Sequence, residues 1–102
     1  MIVPREHAVC LNDLEEETVG HIMKISKKIS KAIRDSNFKC DAINMFAADG
    51  EAAGQEVFHF HLHVYPRFKG DGFGFKYEKS KHFNRISRIE MDGIAQEIRA
   101  HF

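Results

Sequence analysis

Cysteine is scarce in this chain: Cys10 and Cys40 stand alone, and no CxxC occurs. Two isolated thiols exclude a disulfide framework and suit a reducing compartment, so the cytoplasm is the expected location. An excess of charge is also lacking, since 15 basic side chains balance 15 acidic ones. No global field then favours nucleic acid or a membrane surface, and neither is an expected partner. No apolar run approaches the roughly 20 residues of a membrane-spanning helix, and no secretory leader pattern follows Met1. Internal repeats and low-complexity segments are missing too. What remains is 102 residues with 43% apolar content. That predicts one domain over residues 1–102, near the size at which a single core is just adequate.

The apolar Met1, Ile2 and Val3 stop at Pro4, as a strand end would. Asn12 and Asp13, followed by Glu15, Glu16 and Glu17, predict a helix start with the acidic first turn that the helix dipole favours. Val19, Ile22, Met23, Ile29 and Ile33, with the small Ser26 and Ser30, continue the helical period to about Asp35. "CDAINMF" (40–46) reads as a strand, "AADGEAAG" (47–54) as a glycine-containing loop, and 57–66 as a second strand. "KGDGFGF" (69–75) is turn-rich, and Met91, Ile94, Ala95, Ile98 and Phe102 mark a C-terminal amphipathic helix. The predicted order is β-α-β-β-α, an α+β domain whose two central strands are close enough to pair antiparallel.

The second strand carries the chemistry. In "QEVFHFHLHVYPR" (55–67), His59, His61 and His63 alternate with apolar residues. Strand geometry puts Val57, the three histidines, Tyr65 and Arg67 on one face, and Phe58, Phe60, Leu62 and Val64 on the other. Three solvated histidines on an exposed face are the plainest reading. A metal site is the second, because imidazoles at i and i+2 can share a zinc ion. At strand rise, however, His59 and His63 lie roughly 13 Å apart, too far for one ion to take all three without a bulge. Glu56, the nearest acid, falls on the opposite face by alternation. The third reading is nucleophilic catalysis at phosphorus, which needs one imidazole nitrogen free and the other held. Flanking histidines would then spread the charge on phosphoryl oxygens. "GEAAGQ" (50–55) just upstream is a tight turn of the kind whose N–H groups hold anions.

These segments resemble the histidine triad family. "HFHLHVY" (59–65) is similar to its His-x-His-x-His-x-x signature, and "IVPREH" (2–7), "DGEAAGQEVFHFHLHVYPRF" (49–68) and "GDGFG" (70–74) are similar to the bacterial hydrolase branch, in family order. The resemblance implies a histidine triad fold, with an antiparallel sheet packed against one long helix and a C-terminal helix. It implies a nucleotidyl hydrolase or transferase acting on the α-phosphate of phosphoramidates, dinucleoside polyphosphates or nucleotidyl sugars. His61 would be the nucleophile that forms a nucleotidyl-histidine. His59 would orient it by its carbonyl, and the rings of His59 and His63 would contact the phosphate and leaving group. Asn44, Gly54, Gln55 and Glu56 would bind substrate, Glu56 through its backbone N–H. The purine nucleotide substrate and a homodimer partner are likewise implied, and no cofactor is required.

Departures from the family pattern bear on rate. Ala48 stands where the family commonly has an amide, and Glu56 where it often has a hydroxyl residue. Some relatives hold a structural zinc with an N-terminal CxxC and histidines matching His7 and His59. Here that site would be complete only if a CxxC were supplied. In the family "IVPREH" is preceded by a helix and strands that build most of the nucleoside pocket, so the domain is expected to be N-terminally incomplete. The alternatives are a nucleotide-binding or scaffolding module with little turnover, and a metal-binding protein using two of the three histidines. Arg67 is open to a phosphate contact or a surface ion pair. Phe73 and Phe75 are expected to cover the core or a dimer partner, and His21, His82 and His101 to be solvated.

Overall fold

The computed structural model describes residues 1–74 and 86–102, so Phe75 and His82 lie outside the described residues. The chain forms two compact units, Met1–Gly72 and Phe73–Phe102. In the first, helix α1 spans Glu16–Asp35, with Glu16 and Glu17 in its first turn and Arg34 in its last. Both ends therefore suit the helix dipole. Its buried positions are Ile22, Ser26 and Ser30, one residue per turn. Two serines on that stripe keep the side chains short where the helix meets its neighbours, and Ser26 Oγ donates to the Met23 carbonyl at 2.8 Å. Met23, one of the apolar residues of the helical period, is 53% exposed.

The helix starts later than Asn12 and Asp13 predicted. Leu11–Asp13 form a separate 3-10 turn. The Asp13 carboxylate accepts the Cys10 N–H at 3.0 Å, closing that turn before the chain straightens at Leu14. A capping carboxylate serves a short turn as readily as a long helix, which is why composition alone misplaced the boundary.

Strands β1 (Ala42–Phe46) and β2 (His63–Arg67) pair antiparallel, from Ala42 opposite Arg67 to Phe46 opposite His63. The predicted N-terminal strand is reduced to one antiparallel bridge: Ile2 and Leu62 exchange N–H to carbonyl bonds of 2.8 and 2.9 Å. Phe60, Leu62 and Val64 are buried, as alternation requires, and Phe60 and Leu62 join Ile22 in a core flanked by Ile2, Leu14 and Ala47.

The histidine strand does not begin at residue 57. The His59 N–H turns back to the Val57 carbonyl at 2.8 Å, and the Phe60 N–H reaches the Ala8 carbonyl at 2.6 Å. That bend breaks the period of two, so Phe58, expected in the core, is 54% exposed. In the second unit, α2 spans Arg88–Arg99. Its start is a capping box, in which the Ser87 N–H donates to Glu90 Oε2 at 2.7 Å and the Glu90 N–H to Ser87 Oγ at 3.2 Å. The Ser87 N–H holds the Glu90 carboxyl below its ordinary value.

Candidate active site

The loop before the histidines is set by two glycines and one glutamine. Gly50 and Gly54 have φ of 99° and 86°, a region costly for any residue with a Cβ. Between them Glu51–Ala53 form a 3-10 turn. Gln55 is only 3% exposed. Its Oε1 accepts the Gly50 N–H at 2.9 Å, and its Nε2 donates to the carbonyls of Val9 and Val57 at 2.8 and 3.1 Å. Its own N–H goes to the Gly50 carbonyl at 3.1 Å, and the Gly54 N–H to Glu51 at 2.9 Å. Gln55 and Gly54 thus shape the loop from within, with their N–H groups already used. Glu56 is exposed; with the bend at 57–59, strand alternation no longer fixes where its carboxylate points. Ala48, at the position where an amide was expected, is buried with 8% exposure.

His61 sits between two constraints. Its Nδ1 lies 2.8 Å from the His59 carbonyl. A carbonyl only accepts, so Nδ1 carries the hydrogen, and in the neutral ring the lone pair is on Nε2. Beyond it, His63 meets His61 edge to face at 4.9 Å and stacks on Tyr65 at 5.0 Å, with planes 7° apart. Burial, and then the neighbouring His61, lower the His63 pKa from the ordinary histidine value. The third imidazole, His59, is fixed by its ring: Nε2 donates to the Pro4 carbonyl at 2.8 Å, leaving Nδ1 to face Nδ1 of His7 at 3.3 Å.

A cleft of about 300 Å³ opens beside His59 and His61, walled by Met1, Val3, Pro4 and Val57. At the other end of the histidine row, Asn44 stands opposite Tyr65. Directly opposed residues of an antiparallel pair share a face, so Asn44 joins His63 and Tyr65 on theirs. The structure therefore brings the three histidines and Asn44 to one surface, with Gly54 and Gln55 behind the adjoining loop. Three partners were not foreseen: Pro4 for His59, Tyr65 as the plate under His63, and Asp71 for Arg67. Only Tyr65 left a signal, through its alternation with the histidines.

His7 and His59 are the pair a structural zinc would share. Among the described residues no three His, Cys, Asp or Glu side chains converge as a metal-binding group. Their Nδ1 atoms stand 3.3 Å apart.

Comparison with known proteins identifies the family and the fold. The HIT domain model matches residues 1–70. An uncharacterised HIT-like protein of Borreliella burgdorferi is 46% identical over 77 residues, covering 74% of this chain and 55% of the relative. The adenosine 5'-monophosphoramidase hnt1 of Schizosaccharomyces pombe is 33% identical over 67 residues, or 66% of this chain and 47% of its own. Among solved structures, a HIT family protein of Bacillus anthracis superposes with a TM-score of 0.84 at 35% identity, covering 98% of this chain and 70% of that one. The chain belongs to the HIT family, and its α+β fold is the HIT fold. It spans about half the length of the first curated relatives it matches.

Proposed function

We propose that this chain acts on the α-phosphate of a nucleotide, with His61 as the nucleophile. The observation that carries the reading is the His59 carbonyl at 2.8 Å from His61 Nδ1. It holds the ring in the tautomer whose Nε2 lone pair is available, and it stabilises the imidazolium that forms on attack. Membership of the HIT family and the phosphoramidase among the relatives support the substrate class.

The reaction balances in two displacements. Nε2 of His61 forms a bond to the α-phosphorus, and the bond to the leaving group breaks. The leaving group departs with that electron pair and takes up a proton. The resulting nucleotidyl-histidine keeps its Nδ1–H on the His59 carbonyl. Water then attacks phosphorus, the P–N bond breaks with its electrons returning to Nε2, and a nucleoside monophosphate and a proton are released. The His63 ring lies beside His61 and offers a hydrogen-bonding edge to phosphoryl oxygen. Glu56 would add its backbone N–H at the loop, while Gly54 and Gln55 support that loop. Asn44 would bind substrate at the far end of the row, and the apolar cleft at Val3 and Val57 would take a non-polar part of it. No cofactor enters these steps. A purine nucleotide as substrate, a homodimer and a cytoplasmic location belong to the same proposal.

The test is nucleoside monophosphate release from an adenosine phosphoramidate, together with trapping of an acid-labile, base-stable protein label. His61→Ala should lose the label and at least about a thousandfold of the rate while the fold persists. Equal activity in both proteins would remove His61 from the role. A second reading is a binding module with little turnover, and the buried Ala48 favours it, since no amide donor stands there. Nucleotide binding without label in the wild-type chain would select that reading.

A further inference from the structure

Arg67 follows Pro66 at the end of β2, with a cationic side chain that could serve a phosphate or a surface pair. The structure engages it in an ion pair, one that is largely covered rather than out on the surface. Its Nε and Nη2 donate as a fork to Asp71 Oδ2 and Oδ1, at 2.7 and 2.9 Å. The two side chains are only 19% and 12% exposed. The remaining terminal nitrogen, Nη1, donates across the ladder to Asn44 Oδ1. Asp71 is in turn held by its turn: Oδ2 accepts the Phe68 N–H at 3.2 Å, and its own N–H reaches the Phe68 carbonyl at 3.1 Å. Gly70 and Gly72 on either side have φ of 84° and 73°. A planar fork set this way has no equivalent in lysine, whose ammonium is a point charge on a flexible stem.

The consequence falls on Asn44. A guanidinium only donates, so the amide must turn its oxygen to Arg67 and its NH2 away from it. The register then gives the direction. Arg67 faces Ala42, Tyr65 faces Asn44 and His63 faces Phe46, so leaving Arg67 along the ladder leads toward His63.

We infer that Arg67 and Asp71 are positioning residues for the candidate active site: they orient Asn44 so that its NH2 donates to an oxygen of the bound nucleotide beyond His63. Arg67 is then an orienting group rather than a phosphate ligand. This rests on the nucleotide reading proposed above.

The experiment measures turnover of an adenosine phosphoramidate by the whole chain, wild type against Arg67→Lys, Asn44→Ala and the double variant. Alongside it, the Asn44 side-chain amide resonances, identified by their loss in Asn44→Ala, are followed by NMR with and without adenosine monophosphate. Each single variant should raise KM about tenfold, the equivalent of one hydrogen bond, with kcat changed by less than about twofold. The double variant should be no worse than either, because both remove the same contact. The Asn44 amide signals should shift in Arg67→Lys and on adding the nucleotide. Multiplicative KM effects, or a wild-type KM in Asn44→Ala, would overturn the inference. Amide signals that move with neither Arg67→Lys nor nucleotide would overturn it even in an active chain. Amide signals that move in a wild-type chain without turnover would sustain it while removing the catalytic reading. Should Arg67→Lys fail to fold, Asp71→Asn takes its place with the same expected KM pattern.

Discussion

The two ends of the histidine row are built differently. At the first end, His59 and His61 are held by main-chain carbonyls, of Pro4 and of residue 59 itself, beside an apolar cleft. At the second, His63 rests on an aromatic ring, and Asn44 is set by the Arg67–Asp71 fork. The first end depends on where the chain runs, and the second on which side chains are present. The first end should therefore respond to changes that move the backbone, whereas the second should respond to single side-chain exchanges while the chain stays in place.

The largest effect should come from removing the core under the first end. Phe60 is 5% exposed and packs with Ile22 and Leu62, so Phe60→Ala should cost about 3–5 kcal/mol, a large share of a small domain's stability. Phe58→Ala, two residues away at an exposed position, should stay within about 0.5 kcal/mol. Urea denaturation of the two variants distinguishes them, and equal losses would mean that the bend at residues 57–59 does not separate their environments.

Gln55→Leu comes next. It removes the partners of the Gly50 N–H and of the Val9 and Val57 carbonyls at a partly buried place, for a loss of about 1–2 kcal/mol. Because those bonds tie the loop to residues 9 and 57, turnover should fall with stability. A Gln55→Leu protein with normal stability and normal turnover would show that the first end is not held through this side chain.

The smallest effect belongs to His63 at the second end, and it is a pH effect. Its pKa in the folded chain is lowered by burial and then by His61. Protonation therefore favours the unfolded chain. The contribution to stability is complete above the ordinary histidine value of about 6.5, and it is lost as pH falls through the lower, folded value. The melting temperature should drop on acidification, and His63→Asn should flatten part of that slope. An unchanged slope would mean that His63 is not the group responsible.

Much of this was legible in the residues. The 3.6-residue period gave the end of α1 near Asp35, alternation placed Phe60, Leu62 and Val64 in the core, and the histidine spacing marked the candidate site. The family resemblance pointed to the same fold. What could not be read were bonds between segments far apart in sequence. The bend at His59 is secured by Ala8 and Pro4, more than 50 positions earlier in the bridging at Pro4. No local pattern reports such a partner. The Asp13 turn was misread for the opposite reason, since its local signal fits two structures. Arg67 was ambiguous because its partner Asp71 sits in a glycine turn whose path depends on two left-handed residues.

The acceptor that holds His61 belongs to the main chain. Every amino acid placed at position 59 supplies that carbonyl, so no codon change there deletes it. Inheritance can alter the ring of residue 59, and with it the link to Pro4 and His7, but it reaches the anchor of His61 only by bending the path of the chain. The orientation of His61 is thus a property of the fold, and the identity of residue 59 is left to answer to other demands.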